Sequence, residues 1–170
     1  MSGAHGLTAH LDPAGSLDLP GLRVRAAFGR GGIRADKREG DGATPVGTLA
    51  LRRVFFRADR LARPQAGVPV APLSPQDGWC DDPADAAYNK LVSMPHAARH
   101  EALWRADAVY DVIGVLGWND DPVIAGRGSA IFLHVARQDY APTEGCVALA
   151  LADVLAVLAR GMTAIEVGSA

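Results

Sequence analysis

Residues 126–151 of the chain read GRGSAIFLHVARQDYAPTEGCVALAL, and the fold can be built outward from this stretch. The run at 129–136 is apolar on both faces, which predicts a central strand with His134 near its end. A polar loop follows and leads to the turn Thr-Glu-Gly-Cys at residues 143–146. A strand and a returning loop can bring His134 and Cys146 together, although they lie twelve positions apart.

His134 and Cys146 are the first candidates for chemistry. Cysteine attacks a carbonyl as the thiolate, and a nearby imidazole can take the thiol proton and then pair with the sulfur. We therefore expect Cys146 to be a thiolate nucleophile and His134 its base. The alternative is a core cysteine and a core histidine that never meet, and their spacing alone does not separate the two interpretations.

Length and composition indicate one globular domain, residues 1–170, with a sizeable core. The apolar fraction is 49% and the charged fraction 21%, both ordinary for a soluble protein. Nineteen glycines and eleven prolines favour many turns and short strands over a helical bundle. The net charge of −2 and the pI of about 6.2 argue against a nucleic-acid partner.

The cysteine count and the first residues bear on the compartment. Cys80 and Cys146 are too few for a disulfide framework, so a single bridge and two free thiols both remain open. The first residues lack the basic start and apolar run of a secretory signal. No apolar run reaches the ~18 residues that indicate a membrane span. We expect a cytoplasmic protein that does not enter a membrane, with a periplasmic location as the alternative if an export signal precedes this sequence.

Hydrophobic periodicity predicts the remaining elements. Strands are expected at residues 22–26, 48–56, 109–116 and 162–167, with a short edge strand at 7–11. Residues 57–78 contain four prolines and no clear period, which predicts a long loop or flap. Residues 151–160 predict a core-packing helix that Gly161 ends.

Other potential sites are weak. His96 and His100 are four positions apart, which is metal-ligand spacing only on a helix, and the order HExxH is absent. The glycines at 29–32 lack the spacings of phosphate-binding loops. Cys80 is followed by two aspartates that disfavour its thiolate, so it is not the preferred nucleophile. We expect neither a metal site nor a cofactor.

The turn at 143–147, Thr-Glu-Gly-Cys-Val, with His134 upstream, resembles the YkuD-type L,D-transpeptidase family. That family has a strand histidine followed by Ser/Thr-His-Gly-Cys and an aliphatic residue. Thr-Pro-Val-Gly at 44–47 is similar to an upstream Thr-Pro-x-Gly segment, and Gly-Arg-Gly-Ser at 126–129 is similar to the strand entry. The resemblance covers residues 22–167. It implies a mainly β fold, a YkuD-like sandwich or barrel, with one helix after the catalytic cysteine.

The chain departs from the family pattern at Glu144, where histidine is usual, and at Ala148, where arginine is frequent. These departures, the short spacing from His134 and the segment at 100–105 indicate a divergent branch. Other residues must then supply the contacts of the missing arginine. The candidate substrate-binding residues are His100, Trp104, Arg127, Arg137, Tyr140 and Thr143, with Arg34 and Lys37 as further candidates.

The resemblance implies a role for each residue of the pair and its turn. Cys146 would attack a carbonyl, and His134 would take the thiol proton and deliver it to the departing amine. A backbone carbonyl near Val135 would fix the imidazole tautomer. The N–H groups of residues 144–146 would form an oxyanion hole, for which Gly145 is suited because it lacks a Cβ. Glu144 would orient a substrate amine or His100, or else be an exposed loop carboxylate.

The implied substrate is a peptidoglycan stem peptide or muropeptide, cut between its diamino acid and the following D-Ala. The acyl group can pass to an amine, which makes a cross-link, or to water, which trims a tetrapeptide to a tripeptide. The expected cytoplasmic location favours an L,D-carboxypeptidase of muropeptide recycling. The alternatives are a cross-linking L,D-transpeptidase and a catalytically silent module that binds a peptide or wall fragment.

Overall fold

The computed structural model describes residues 6–168, which form fourteen strands and one helix. In chain order the elements are β1 (Leu7–Asp12), β2 (Ser16–Leu19), β3 (Leu22–Arg25), β4 (Ile33–Arg34), β5 (Thr44–Pro45), β6 (Gly47–Phe56), β7 (Val70–Pro72), β8 (Asp77–Cys80), β9 (Leu91–Ser93), β10 (His100–Ala102), β11 (Val112–Leu116), β12 (Phe132–Val135), β13 (Val147–Leu149), α1 (Leu151–Ala159) and β14 (Met162–Val167). Nine strands share one sheet, β8 to β10 form a three-stranded sheet, and β4 pairs with β5.

The large sheet closes almost completely on itself. Its strand order is β13-β12-β11-β6-β14-β1-β2-β3, with β7 beside β6. Ala27, just after β3, pairs with Ala148 of β13 through backbone hydrogen bonds of 2.8 and 2.9 Å. This bridge joins the two ends of the sheet, so the strands form a barrel. The predicted fold class, mainly β with one helix after the cysteine, is confirmed.

The buried apolar side chains form two clusters, one inside the barrel and one on the side of the barrel where the site lies. Aliphatic side chains of the barrel strands and of α1 fill the interior, and a second cluster joins the barrel to the three-stranded sheet. Neighbouring residues of a strand point to opposite faces, so Leu133 enters the barrel while Phe132 joins the second cluster. His134 shares the face of Phe132. The three-stranded sheet therefore covers the side of β12 that carries the histidine.

The helix α1 packs against the barrel through Val154, Val157 and Leu158. It ends where predicted, because Gly161 adopts a positive φ of 88° and its N–H bonds to the carbonyl of Leu158. Among residues 6–168, no helix has the length and apolarity needed to cross a membrane.

The predicted strands are present, with the central one trimmed to β12, but two local expectations were wrong. The first strand, β1, is not an edge strand, since it pairs with β14 on one side and β2 on the other. Residues 57–78 are not an unstructured flap. They contain β7, which pairs in parallel with β6, and the start of β8. Proline at a strand end costs no ladder hydrogen bond, which explains why the proline-rich segment still forms a strand.

Candidate active site

His134 and Cys146 come together because β12 and β13 are parallel neighbours. The register places His134 beside Ala148, and Cys146 comes immediately before β13. Both side chains are buried and line a cleft of about 500 Å³. A returning turn therefore delivers the thiol to the face of β12 that carries the imidazole.

The imidazole of His134 is held in one tautomer. Its Nδ1 lies 3.0 Å from the carbonyl oxygen of Val135. A carbonyl only accepts hydrogen bonds, so Nδ1 carries the proton of the neutral ring and Nε2 keeps its lone pair. Burial, together with the charges of Arg105 and Arg137, lowers the pKa of His134 to about 4. The ring is therefore neutral at pH 7 and able to accept a proton at Nε2.

The thiol of Cys146 is held by backbone groups. Its Sγ donates to the carbonyl of Ala130 at 3.2 Å and accepts from the N–H of Phe132 at 3.4 Å. Burial, aided by the negative charge of Glu101, raises the pKa of Cys146 to about 12. The resting nucleophile is thus a thiol, whereas the sequence predicted a thiolate, because burial removes the hydration that a thiolate needs and the backbone contacts do not offset that loss.

No hydrogen bond joins Cys146 to His134 among the described residues. The sulfur proton must leave the carbonyl of Ala130 before Nε2 can take it. Catalytic hydrogen bonds often shorten only when substrate is bound, so this geometry is compatible with a nucleophile and its base. Proton transfer would then accompany attack and would not precede it.

The turn before Cys146 requires glycine at position 145. Gly145 has φ of +132°, a region that L side chains rarely adopt. A Cβ there would also lie 2.7 Å from the carbonyl oxygen of Ala43. Both the backbone angle and the close approach exclude a larger residue, so Gly145 fixes the path of the chain into the nucleophile.

Two threonines hold the turn in place. Thr143 Oγ1 accepts from Gly145 N–H at 3.1 Å and donates to the carbonyl of Cys146 at 2.7 Å. Thr44 Oγ1 donates to the carbonyl of Gly145 at 2.8 Å and accepts from Gly29 N–H at 2.9 Å. The Thr-Pro-Val-Gly segment noted in the sequence therefore positions the cysteine turn from the other side.

The same hydrogen bonds determine which backbone N–H groups of the turn remain available to bind an oxyanion. The N–H of Gly145 is committed to Thr143, although the sequence suggested it for the oxyanion hole. The N–H groups of Glu144 and Cys146 have no acceptor among the hydrogen bonds within residues 6–168. Two donors beside the sulfur are thus left to stabilise developing negative charge.

Comparison with models of protein families matches residues 18–167 to YkuD, the L,D-transpeptidase catalytic domain. The chain belongs to this family. Neither the curated proteins nor the solved structures with which the chain was compared gave a significant match. Membership supports L,D-transpeptidase-type catalysis by a cysteine-dependent enzyme on peptidoglycan-derived peptides.

The three-stranded sheet, which we call the covering sheet, and the segment after it each add one residue to the cleft of this L,D-transpeptidase domain. Glu101 of β10 lines the cleft, and the hydroxyl of Tyr110 donates to its carboxylate. The ring of Tyr110 packs edge-on against His134, with centroids 5.4 Å apart. Burial raises the pKa of Glu101 and holds the pKa of Tyr110 well above its usual value. The sequence placed Glu101 in a family-like segment without a role and gave no signal for Tyr110.

Strand alternation explains why Glu101, and not His100, reaches the cleft. His100 pairs with Cys80 and Glu101 with Trp79, so neighbouring side chains of β10 face opposite ways. His100 contacts the carbonyl of Ala98 at 2.8 Å and does not line the cleft. Glu144 lines the cleft, but its exposed carboxylate pairs with Arg30 at 2.9 Å and makes no hydrogen bond to His100 within residues 6–168.

Charged side chains of both signs line the L,D-transpeptidase cleft: Lys37, Glu39, Asp81, Arg99, Glu101, Arg105, Arg137 and Glu144. Most of the cations are already paired. Lys37 pairs with Asp41 at 2.5 Å, and Arg105 pairs with Asp107 at 2.7 Å. By contrast, Arg137 has no ion pair among residues 6–168 and lies in the cleft near His134. Arg137 is the cation best placed to meet a substrate carboxylate.

The other sequence-based substrate candidates differ in position. Thr143, like Arg137, lines the cleft. Trp104 lies under the guanidinium of Arg57, 3.6 Å from it, and Tyr140 lies under that of Arg25 at 4.1 Å. Arg127 and Arg34 are also outside the cleft lining, and Arg34 pairs with Asp36 at 3.1 Å. The structure therefore brings Arg137 and Thr143 to the nucleophile and leaves His100, Trp104, Arg127 and Tyr140 elsewhere.

Proposed function

We propose that this member of the L,D-transpeptidase family is an L,D-carboxypeptidase, which hydrolyses the stem tetrapeptide of a soluble muropeptide to a tripeptide. The observation that carries the proposal is the pairing of His134 and Cys146 in a cleft of about 500 Å³. That volume lies within the range of sites that hold a single small ligand. A cleft of that size accommodates one peptide donor together with the water that would hydrolyse its thioester.

The first half-reaction makes a thioester on Cys146. Its sulfur attacks the carbonyl of the diamino acid while the thiol proton passes to Nε2 of His134. The N–H groups of Glu144 and Cys146 receive the negative charge that develops on the carbonyl oxygen. Collapse of this intermediate breaks the bond to D-Ala. The departing amine takes the proton from His134, which returns the imidazole to its neutral form.

The second half-reaction releases the tripeptide. A water molecule attacks the thioester carbonyl, and His134 accepts the proton that the water loses. When the carbon–sulfur bond breaks, the proton returns to Cys146 and restores the thiol. The hydrogen bond from Nδ1 to Val135 keeps Nε2 turned to the cleft through both half-reactions.

Charge on the cleft wall supports recognition of a peptide that carries both carboxylates and an amine. Arg137 lines the cleft and lacks an ion pair within the described residues, and it would bind the carboxylate of the terminal D-Ala. Glu39 and Asp81 line the same cleft on either side of Arg99, and the amine of the diamino acid would compete with that arginine for them. These two acids would also attract a second peptide amine, which is the observation in favour of the transpeptidase alternative.

Digestion of a disaccharide-tetrapeptide in ¹⁸O-water, followed by mass spectrometry, tests the proposal. A carboxypeptidase releases D-Ala and leaves one ¹⁸O in the new tripeptide carboxylate. Loss of D-Ala with formation of peptide dimers would instead establish the transpeptidase. Binding without turnover would establish a silent module. His10→Ala, at an exposed residue paired with Glu166, is the control for handling losses.

The compartment remains a prediction, and it bears on the acceptor. Polymeric peptidoglycan supplies neighbouring amines at high local concentration, whereas soluble muropeptides do not. A cytoplasmic location, as expected from the sequence, would favour hydrolysis. Fractionation of cells with an antibody to the chain would check this, and recovery outside the cytoplasm would count against muropeptide recycling.

A further inference from the structure

A second cluster of reactive side chains lies on the three-stranded sheet, outside the catalytic cleft. Cys80 ends β8, Asp85 lies in the following loop, and His96 lies between β9 and β10. One ligand atom from each lies within 4.8 Å of the other two. None of the three lines the cleft that holds Cys146. The fold thus gathers a thiol, a carboxylate and an imidazole that the L,D-transpeptidase reaction does not use.

The imidazole of this cluster lacks a partner. Nε2 of His96 is buried and makes no hydrogen bond with the described residues. The closest acid, Asp85 Oδ1, lies 3.5 Å away, close enough for attraction but without hydrogen-bond geometry. His100 packs edge-on against the ring with centroids 5.9 Å apart. Leaving a buried nitrogen unsatisfied costs free energy, which suggests that the position serves a ligand.

The distances fit a tetrahedral cation. Zn²⁺ binds sulfur at about 2.3 Å and nitrogen or oxygen at about 2.0–2.2 Å, so tetrahedral angles separate N and O by about 3.3 Å and S and O by about 3.5 Å. The separation of His96 Nε2 and Asp85 Oδ1 is 3.5 Å, and that of Cys80 Sγ and Asp85 Oδ1 is 3.8 Å. These two separations exceed the tetrahedral values by a few tenths of an ångström, and Cys80 Sγ lies within 4.8 Å of His96 Nε2, so a modest contraction would complete the geometry.

We propose that Cys80, Asp85 and His96 bind a zinc ion, with water at the fourth position. Thiolate, imidazole and carboxylate are zinc ligands, and a soft sulfur excludes Mg²⁺ and Ca²⁺. Without a cation, burial and the neighbouring acids raise the pKa of Cys80. Binding reverses that balance, because the ion replaces the sulfur proton, which passes to solvent.

The ion would have a structural effect on the cleft. It would tie the loop that holds Asp85 to the loop that holds His96, across the strand β9. Asp81, the neighbour of Cys80, lines the cleft and is held by Arg99 at 3.0 Å. Zinc would therefore stiffen the cleft wall that the three-stranded sheet supplies, without contacting the reacting atoms.

Cobalt titration of the full chain tests the site. The protein carries Cys146→Ser, so that Cys80 is the single thiol, and is first stripped with a chelator. Cobalt bound at the site gives a thiolate-to-cobalt charge-transfer band that saturates at one equivalent and disappears when zinc is added. Zinc should raise the melting temperature by roughly 5–10 °C at a hundredfold excess over its Kd.

Ligand variants in the same background identify the residues. His96→Ala and His96→Gln should each weaken cobalt binding at least tenfold, and Asp85→Asn should do the same. His10→Ala, which changes an exposed histidine on the barrel, should leave the affinity unchanged. Circular dichroism confirms that each variant is folded before titration.

Two results would overturn the proposal. One is a folded protein that binds cobalt without a charge-transfer band, and the other is a His96 variant that binds as tightly as His10→Ala. The readouts are spectroscopic and thermal and do not use peptide turnover. Failure of the zinc site is therefore distinguishable from failure of the proposed carboxypeptidase.

Discussion

The barrel edge at β12 and β13 and the covering sheet of β8 to β10 each contain one buried cysteine, and they use it differently. Burial raises the pKa of both Cys146 and Cys80, so thiol acidity does not separate a nucleophile from a structural residue. Their neighbours do. Cys146 opens to a cleft beside a neutral base and two unused N–H donors, whereas Cys80 is enclosed with Asp85 and His96. We therefore infer the role of each cysteine from the groups that surround its sulfur and not from the pKa of its thiol.

The largest effect expected from this contrast is that of Cys146→Ala. Removing the covalent nucleophile should lower D-Ala release by at least ~10⁴-fold, as loss of a catalytic nucleophile does in other acyl-transfer enzymes. The assay is the tetrapeptide digestion with product quantification. His10→Ala should retain full activity. Substantial turnover by a folded Cys146→Ala protein would show that the reaction does not take place at the barrel edge.

The next effect belongs to the turn that delivers the sulfur. Gly145→Ala adds a Cβ at φ +132° and 2.7 Å from a backbone oxygen, so the turn must move and take the neighbouring N–H donors with it. Misplacing oxyanion donors costs about 10²–10³ in rate. We expect kcat/KM to fall by that factor. Gly126→Ala is the matched control, since its φ is also positive at 82° but its Cβ would meet nothing within 4 Å. Equal losses of kcat/KM in both variants would show that backbone strain alone, and not the close approach of the Cβ, causes the effect.

His134 should make the stability of the protein depend on pH. Its pKa falls from 6.5 to about 4 on folding, chiefly through burial. Between pH 6.5 and pH 4 the imidazole of His134 is therefore protonated in the unfolded chain and neutral in the folded one. The full stability is present above pH 6.5, and it falls as the pH is lowered towards 4. A shift of this size corresponds to about 3 kcal/mol. Denaturant unfolding from pH 7.5 to 4 should show the loss, and His134→Gln should reduce it. Parallel curves for the two proteins would contradict the buried neutral imidazole.

The barrel edge could be predicted from the sequence because its parts are close along the chain. The strand, the loop and the turn fall within residues 126–151, and local patterns specify each of them. Thr44 was noted as part of a family-like segment, but its hydrogen bond to the turn spans 101 positions. Contacts of that range depend on how the barrel closes, which periodicity does not encode.

The covering sheet escaped prediction for a related reason. Whether His100 or Glu101 faces the cleft depends on the pairing of β10 with β8, and a shift of one residue would exchange them. Tyr110 meets His134 only when β11 and β12 pair. The resting thiol of Cys146 was missed as well, because the spacing of His134 and Cys146 says nothing about how deeply they are buried.

The smallest expected effect tests whether the covering sheet takes part in the chemistry. Tyr110→Phe keeps the ring that packs on His134 and removes only the hydroxyl that donates to Glu101. The buried carboxyl then loses a partner, which should cost about 1–3 kcal/mol of stability. Because that hydrogen bond lowers the pKa of Glu101, its loss should raise this pKa further. A Glu101 with less negative charge would destabilise the thiolate of Cys146 to a smaller extent, so kcat/KM should change by less than about tenfold.

Unfolding and kinetic measurements on one preparation determine the free energy of unfolding and kcat/KM separately. A loss as large as that of Cys146→Ala would show that the covering sheet supplies a catalytic group, and the division between the two regions would be wrong.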